Sequence, residues 1–239
     1  EAYKYVADTM LEEAGVDVRF RTTAAAVTLD DAGTNQPKRL DTLITESKSG
    51  REALRGRVFV DATGDADLAA WSGLEYTQGR PFDGAVQSMG SFIHFGGMSQ
   101  ADDEQIEAAK TALEREMAAG TYRFYNAHFS NPGPRRSVYF APNITRFSGD
   151  PTNAEDLSRG EQSVRRDAWR LLEFLKRQPG LEDAFILRTS ATLGPRESRQ
   201  IVGRYRLTGA DVHEGRRFDD AIARGSWWID IHCPLGYTD

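Results

Sequence analysis

The run Arg57-Val58-Phe59-Val60-Asp61-Ala62-Thr63-Gly64-Asp65-Ala66-Asp67-Leu68-Ala69 constrains the fold more than any other part of the chain. Val58, Phe59 and Val60 make an unbroken apolar stretch, the pattern of a strand covered on both faces in a parallel sheet. Thr63-Gly64-Asp65 ends it. Gly64 has no Cβ, so a ligand can come close to the backbone there. Asp65 is expected to cap a helix formed by Ala66, Leu68, Ala69 and Ala70. Open α/β sheets bind ligands where a strand ends in bare backbone and a helix starts. A plain strand-to-helix corner is spelled the same way, so the run by itself leaves both readings open.

The preceding residues give that corner a context. Tyr3, Val6, Met10, Leu11 and Ala14 recur at helical spacing, with Gly15 where a C-terminal cap belongs. Val16, Val18 and Phe20 alternate with Asp17 and Arg19, which predicts a strand. Thr23–Leu29 and Arg39–Ser47 predict two more, and Ser49-Gly50 turns the chain into Glu52–Leu54. A helix, a strand, an antiparallel meander and then a buried strand ending in Ala-Thr-Gly-Asp form an order that resembles the FAD-dependent oxidoreductases of the glutathione-reductase-like superfold. A second anchor is Thr192-Leu193-Gly194-Pro195-Arg196-Glu197-Ser198-Arg199-Gln200-Ile201, continuing to Trp228-Ile229-Asp230-Ile231-His232. This run is similar to bacterial FAD-dependent oxidoreductases related to the flavin subunit of heterodisulfide reductase.

The resemblance implies an α/β fold: a partial Rossmann-like FAD-binding domain with an inserted α+β substrate or cap domain. Residues 1–78 are then part of the FAD-binding domain, and residues 79–239 are the inserted domain carrying the Arg-Glu-Ser-Arg and Asp-Ile-His motifs. The turn-rich Gln78–Gly84 separates them. Within the second part, strands are expected at Ser88–Phe95, Ser137–Phe140 and Phe185–Thr192, and helices at Ala101–Ala119 and Ser158–Lys176. Asn131-Pro132-Gly133-Pro134 breaks the chain between them. The implied cofactor is FAD. By the same resemblance, Ala62, Thr63, Gly64 and Asp65 lie against its diphosphate–ribose region, with Thr63 offering a hydroxyl. Ala24, by its place just past the Val16–Phe20 strand, is expected to offer backbone groups to the adenine edge.

Arg196 and Arg199 stand three residues apart and share a face if the segment is helical. Guanidinium groups suit a substrate carboxylate or the negative charge a reduced flavin gathers near N1. The other reading is an internal salt bridge with Glu197 or Asp211. His232 follows Asp230 closely enough for the carboxylate to fix its tautomer, which suits a proton carrier; a packed, purely structural histidine is the alternative. His94, His128 and His213 are read as structural, and Trp227-Trp228 as packing. The four histidines and Cys233 lack the close spacing of a zinc site, and no G-x-S-x-G elbow is present.

A net charge of −6 argues against a general nucleic-acid surface. Arg135-Arg136, Arg165-Arg166 and Arg216-Arg217 are taken as solvated pairs. No apolar run reaches the roughly 20 residues of a membrane span. With Cys233 as the single cysteine there is no intrachain disulfide and no set of four thiolates for an iron–sulfur cluster, and a reducing, cytoplasmic setting fits. The chain opens inside a helical pattern, lacks G-x-G-x-x-G and stops soon after Pro234-Leu235-Gly236, so it reads as an internal segment of a longer flavoprotein that by itself holds FAD weakly.

The expected activity is oxidoreduction: a hydride or electron pair passes between flavin and a small, anionic organic substrate, with Arg196 and Arg199 on the anion and His232 on a proton. Two rivals remain at this point, a flavin-fold protein acting on carbohydrate with FAD structural, and a non-catalytic binding module.

Overall fold

The structure is a computed structural model and describes residues 2–30, 39–130, 138–227 and 229–235. The chain divides into two compact units, Glu1–Tyr76 and Thr77–Asp239.

The first unit contains α1 (Ala2–Glu13), β1 (Thr22–Leu29), β2 (Leu40–Ser47), β3 (Gly50–Arg55) and α2 (Asp67–Trp71). The end of α1 is capped as its sequence predicts. The Gly15 N–H reaches the Glu12 carbonyl at 3.0 Å and the Val16 N–H reaches Leu11 at 3.0 Å, closing the paired bonds of a Schellman turn. β1, β2 and β3 form the expected antiparallel meander. A bulge leaves Ala25 out of register between Ala24 and Ala26. α2 packs against β1 and buries Leu68 and Ala69.

Two expected strands are absent. Residues 16–20 and 58–60 form no ladder with any described strand. Val58 and Val60 are 80% and 83% exposed while Phe59 between them is half-buried, so the segment expected to be covered on both faces is open on one of them. An apolar pattern records which side chains favour burial; a strand also needs a neighbour for its N–H and C=O groups. α1 likewise has its apolar stripe but buries no residue.

The second unit contains β4 (Tyr76–Gln78), β5 (Met89–Gly96), α3 (Asp103–Ala118), β6 (Tyr139–Phe147), α4 (Ala154–Leu175), β7 (Phe185–Thr189), β8 (Arg199–Ile201) and α5 (Gly209–His213). β6, β5 and β7 form an antiparallel sheet in that order, and β4 pairs with β8. Of the expected Ser137–Phe140 strand, Ser137 lies outside the described residues, as do the Asn131–Pro134 break and Arg135-Arg136.

Alternation along β5 sorts its side chains. Met89, Ser91, Ile93 and Phe95 are buried, while Phe92 and His94 are half-buried on the other face. Ile93 and Phe95 of the buried face meet Ala168, Leu171, Phe174 and Leu175 of α4 and Ile106, Ala109 and Leu113 of α3 in one core, while Met89 packs in a second cluster with Val164 and Leu193. Each large apolar side chain buried there contributes about 1.5–3 kcal/mol. α3 starts at a reciprocal capping box between Asp102 and Gln105. α4 starts four residues before its apolar periodicity does, because Asn153 accepts from the Glu155 and Asp156 N–H groups.

Candidate functional site

In the first unit, the Ala62-Thr63-Gly64-Asp65 corner is organised by a residue the sequence did not single out, Asp61. Its carboxylate accepts from the Thr63 hydroxyl at 2.8 Å, the Thr63 N–H at 3.1 Å and the Ala69 N–H at 3.1 Å. Burial pushes the Asp61 pKa up, but the Thr63 hydroxyl and the Ala69, Thr63 and Leu68 N–H groups outweigh it and hold the carboxyl below its ordinary value. The capping role expected of Asp65 falls elsewhere. Ala66, at a left-handed φ of 54°, occupies the N-cap of α2 without a side-chain bond. The Thr63 hydroxyl instead receives the Asp67 N–H at 3.1 Å. Ala62, Thr63 and Gly64 are exposed. Gly64 has φ 90°, and a Cβ built on it would meet nothing within 4 Å, so its backbone is open to a ligand. Ala24 sits in β1 opposite Thr45, beside the bulge and on an edge strand of the meander.

In the second unit, Arg196 and Arg199 are not on a helix. Residues 195–198 are irregular and Arg199 opens β8. Extended backbone alternates its side chains, so a spacing of three does not put both on one face. The proposed salt-bridge partners are engaged elsewhere. Glu197 accepts from the Gln87 N–H at 3.2 Å and from the Gln200 amide at 2.7 Å. Asp211 accepts from Thr208, Tyr205 and Arg216, which hold its carboxyl far below the usual range. Arg216 is therefore an internal partner of Asp211 rather than a purely solvated charge.

Arg196 donates to the Asn143 amide oxygen. Asn143 lies in a bulge of β6, where Pro142, Asn143 and Ile144 stand opposite the single residue Phe92. Its φ of 56° and the preceding proline are both marks of such an irregularity, and bulges re-aim side chains. Pro142 inside an apolar run was the available signal.

His232 is buried. Its Nε2 lies 3.1 Å from an Asp230 carboxylate oxygen, and its backbone N–H donates to the Gln87 side-chain oxygen at 2.8 Å. Gln87 thus joins the Asp-Ile-His segment to Glu197 of the Arg-Glu-Ser-Arg segment. The Ser148 hydroxyl, bonded to the Pro234 carbonyl, fastens the same segment to the end of β6. Burial first, and then the Arg146 charge, lower the His232 pKa; the hydrogen bond to Asp230 opposes them, and Arg196 adds to the lowering.

Arg146 completes the group. The Tyr125 N–H is bonded to the Ile144 carbonyl at 3.0 Å, and the Arg146 guanidinium carbon lies 3.1 Å from the Tyr125 ring centroid. Nothing in the sequence distinguishes Arg146 from the other basic residues. Trp227 is 73% exposed, so it is not a core residue, and Trp228 lies outside the described residues. A cleft of about 490 Å³ opens beside this group, with Phe92, Phe140, Asn143, Ser190, Thr192 and Arg196 on its wall. His94, next to it, stacks on Phe140 and accepts from Arg188. Among the described residues no helix is long and apolar enough to cross a membrane, and no group of three or more His, Cys, Asp or Glu side chains could hold a metal ion.

The first unit thus carries an open glycine corner, and the second carries a histidine–carboxylate pair and two guanidinium groups beside a cleft. No curated protein and no solved structure matches the chain. The family model described as FAD dependent oxidoreductase matches residues 1–239. With every residue inside that match, the chain belongs to the FAD dependent oxidoreductase family, and its cofactor is FAD.

Proposed function

We propose that this chain carries part of a Rossmann-like FAD-binding domain and an α+β substrate domain, and that it oxidises or reduces a small organic anion. The pairing of His232 with Asp230, linked through Gln87 to the segment bearing Arg196, is the observation that carries this reading. The Ala-Thr-Gly-Asp and Arg-Glu-Ser-Arg runs support kinship with the heterodisulfide reductase flavin subunit, and the single cysteine suits a reducing, cytoplasmic setting.

The residues fit the cofactor. The exposed backbone of Ala62, Thr63 and Gly64 suits the diphosphate–ribose region, Asp61 fixes that corner, and Ala24 offers backbone on an edge strand. Bound FAD supplies a two-electron carrier. Arg196 orients the substrate anion, and His232 takes or returns its proton from the Nδ1 side while Asp230 fixes the ring through Nε2.

A Gly64→Val variant of the holoenzyme is expected to lose flavin occupancy more than it loses folded yield, because a branched side chain at φ 90° restricts the turn and narrows the approach to the backbone. Equal flavin content, read by absorbance after purification, would remove Gly64 from the cofactor site.

The anion role is tested by Arg196→Lys, with Arg199→Lys as its comparison. Lysine keeps the charge and loses the planar fork. Loss of a charge-assisted contact worth about 1.5–3 kcal/mol weakens substrate binding by roughly 10- to 150-fold. Stopped-flow flavin reduction unchanged in Arg196→Lys would refute the assignment.

A further inference from the structure

Among the described residues of the second unit, the guanidinium of Arg146 is the least satisfied polar group. Its three nitrogens are buried, and none has a hydrogen-bond partner among the described residues. Arginine does not shed its proton, so the group stays cationic where it lies. Stacking on Tyr125 covers one face of the guanidinium and leaves its in-plane donors without an acceptor. Burying a cation in this way is strongly unfavourable unless something pairs with it.

The Tyr125 side chain offers Arg146 partial compensation, and no described neighbour offers it a carboxylate that is not already engaged. Arg196 is a second cation acting on Arg146, and its own donor goes to a neutral amide, Asn143. Asp230 attracts Arg146 but is bonded to His232. The remaining ring nitrogen of His232, Nδ1, is also buried without a partner among the described residues. Two cations and one bare imidazole nitrogen thus converge with a single, already engaged carboxylate.

Shape limits what the missing anion belongs to. Arg196 and Asn143 connect this cluster to the cleft of about 490 Å³, whose wall is aromatic at Phe92 and Phe140 and hydroxylated at Ser190 and Thr192. We propose that Arg146 and Arg196 together bind the carboxylate of a small organic acid whose apolar or aromatic body lies against Phe92 and Phe140. This rests on the redox reading above and narrows its substrate class. The carboxylate takes paired N–H donors from Arg146, the fork geometry that guanidinium and carboxylate share. Arg146 is the anchor, with Arg196 at the cleft wall.

The test uses phenylacetate and its neutral isostere phenylacetamide, titrated calorimetrically into the flavin-loaded protein. Phenylacetate is expected to bind at least tenfold more tightly than phenylacetamide. Arg146→Gln removes that preference, and Arg146→Lys restores only part of it. Equal binding of the two probes, or binding of neither, by the unsubstituted protein overturns the proposal without any variant having to fold. An unchanged phenylacetate affinity in a folded Arg146→Gln protein whose flavin midpoint potential has fallen also overturns it, since the anion served by Arg146 is then the reduced flavin. Phenylacetate binding lost in Arg146→Gln but silent in the bound-flavin absorbance spectrum supports the carboxylate site and separates it from the redox reading.

Discussion

Phe174→Ala is expected to destabilise the second unit by about 3–5 kcal/mol, the usual cost of emptying a phenylalanine site in a packed core. Phe174 is fully buried, and its ring meets Tyr122 edge-on at 5.8 Å. The neighbourhood can collapse only partly, because Leu171, Leu175 and Ala168 hold α4 against the sheet. The consequence extends to the site. Glu161 of α4 accepts the Leu193 N–H at 2.5 Å, and a Cβ on Gly160 would lie 2.5 Å from a Leu193 methyl carbon. The helix therefore sets the position of the Thr-Leu-Gly-Pro segment that leads to Arg196. Urea unfolding of the variant should show the loss, together with weakened substrate binding before the main transition. A change under about 1 kcal/mol would show that this ring is not part of a close-packed core.

His232→Gln is expected to slow flavin reduction by roughly 10²- to 10⁴-fold, the range for removing a positioned acid–base group, with FAD still bound. The pH profile distinguishes a proton carrier from a packing residue. Burial and the Arg146 charge hold the His232 pKa below its ordinary 6.5, so the ring is neutral and basic at pH 7. The acid limb of the wild-type profile should then fall below pH 6.5 and vanish in the variant. Stability follows the same sign. The unfolded chain takes up a proton near pH 6.5 while the folded site resists it, so the folded state loses ground as pH falls through that window. His94, lowered by burial and Arg188, adds in the same direction. A glutamine variant with normal rates, or a profile whose acid limb persists, would exclude His232 as the carrier.

What was legible in the sequence follows from what is local. The Gly15 cap, the β1–β3 meander, α3 and the apolar stripe of α4 depend on residues a few positions apart, and the structure contains each of them. The Asp230–His232 pair was legible for the same reason, since two residues in an extended segment can meet without help from the rest of the chain. The two apolar runs at 16–20 and 58–60 were misread because a strand is a property of pairs, and one segment does not name its partner. Asp65 was expected to cap α2, but a left-handed Ala66 moved the helix start and passed the hydrogen bonds to Thr63 and Asp61.

The sequence by itself determined the local elements and the glycine corner. Only the tertiary structure decided which charges meet. Asn143 reaches Arg196 across 53 residues, Gln87 reaches His232 across 145, and Glu197 reaches back to Gln87 across 110. Arg146 becomes distinctive only through its surroundings, because its guanidinium is stacked on the Tyr125 ring with its nitrogens out of water. Charge is written in the chain, but the cost of leaving a charge unpaired is set by surroundings that exist only once the chain has folded.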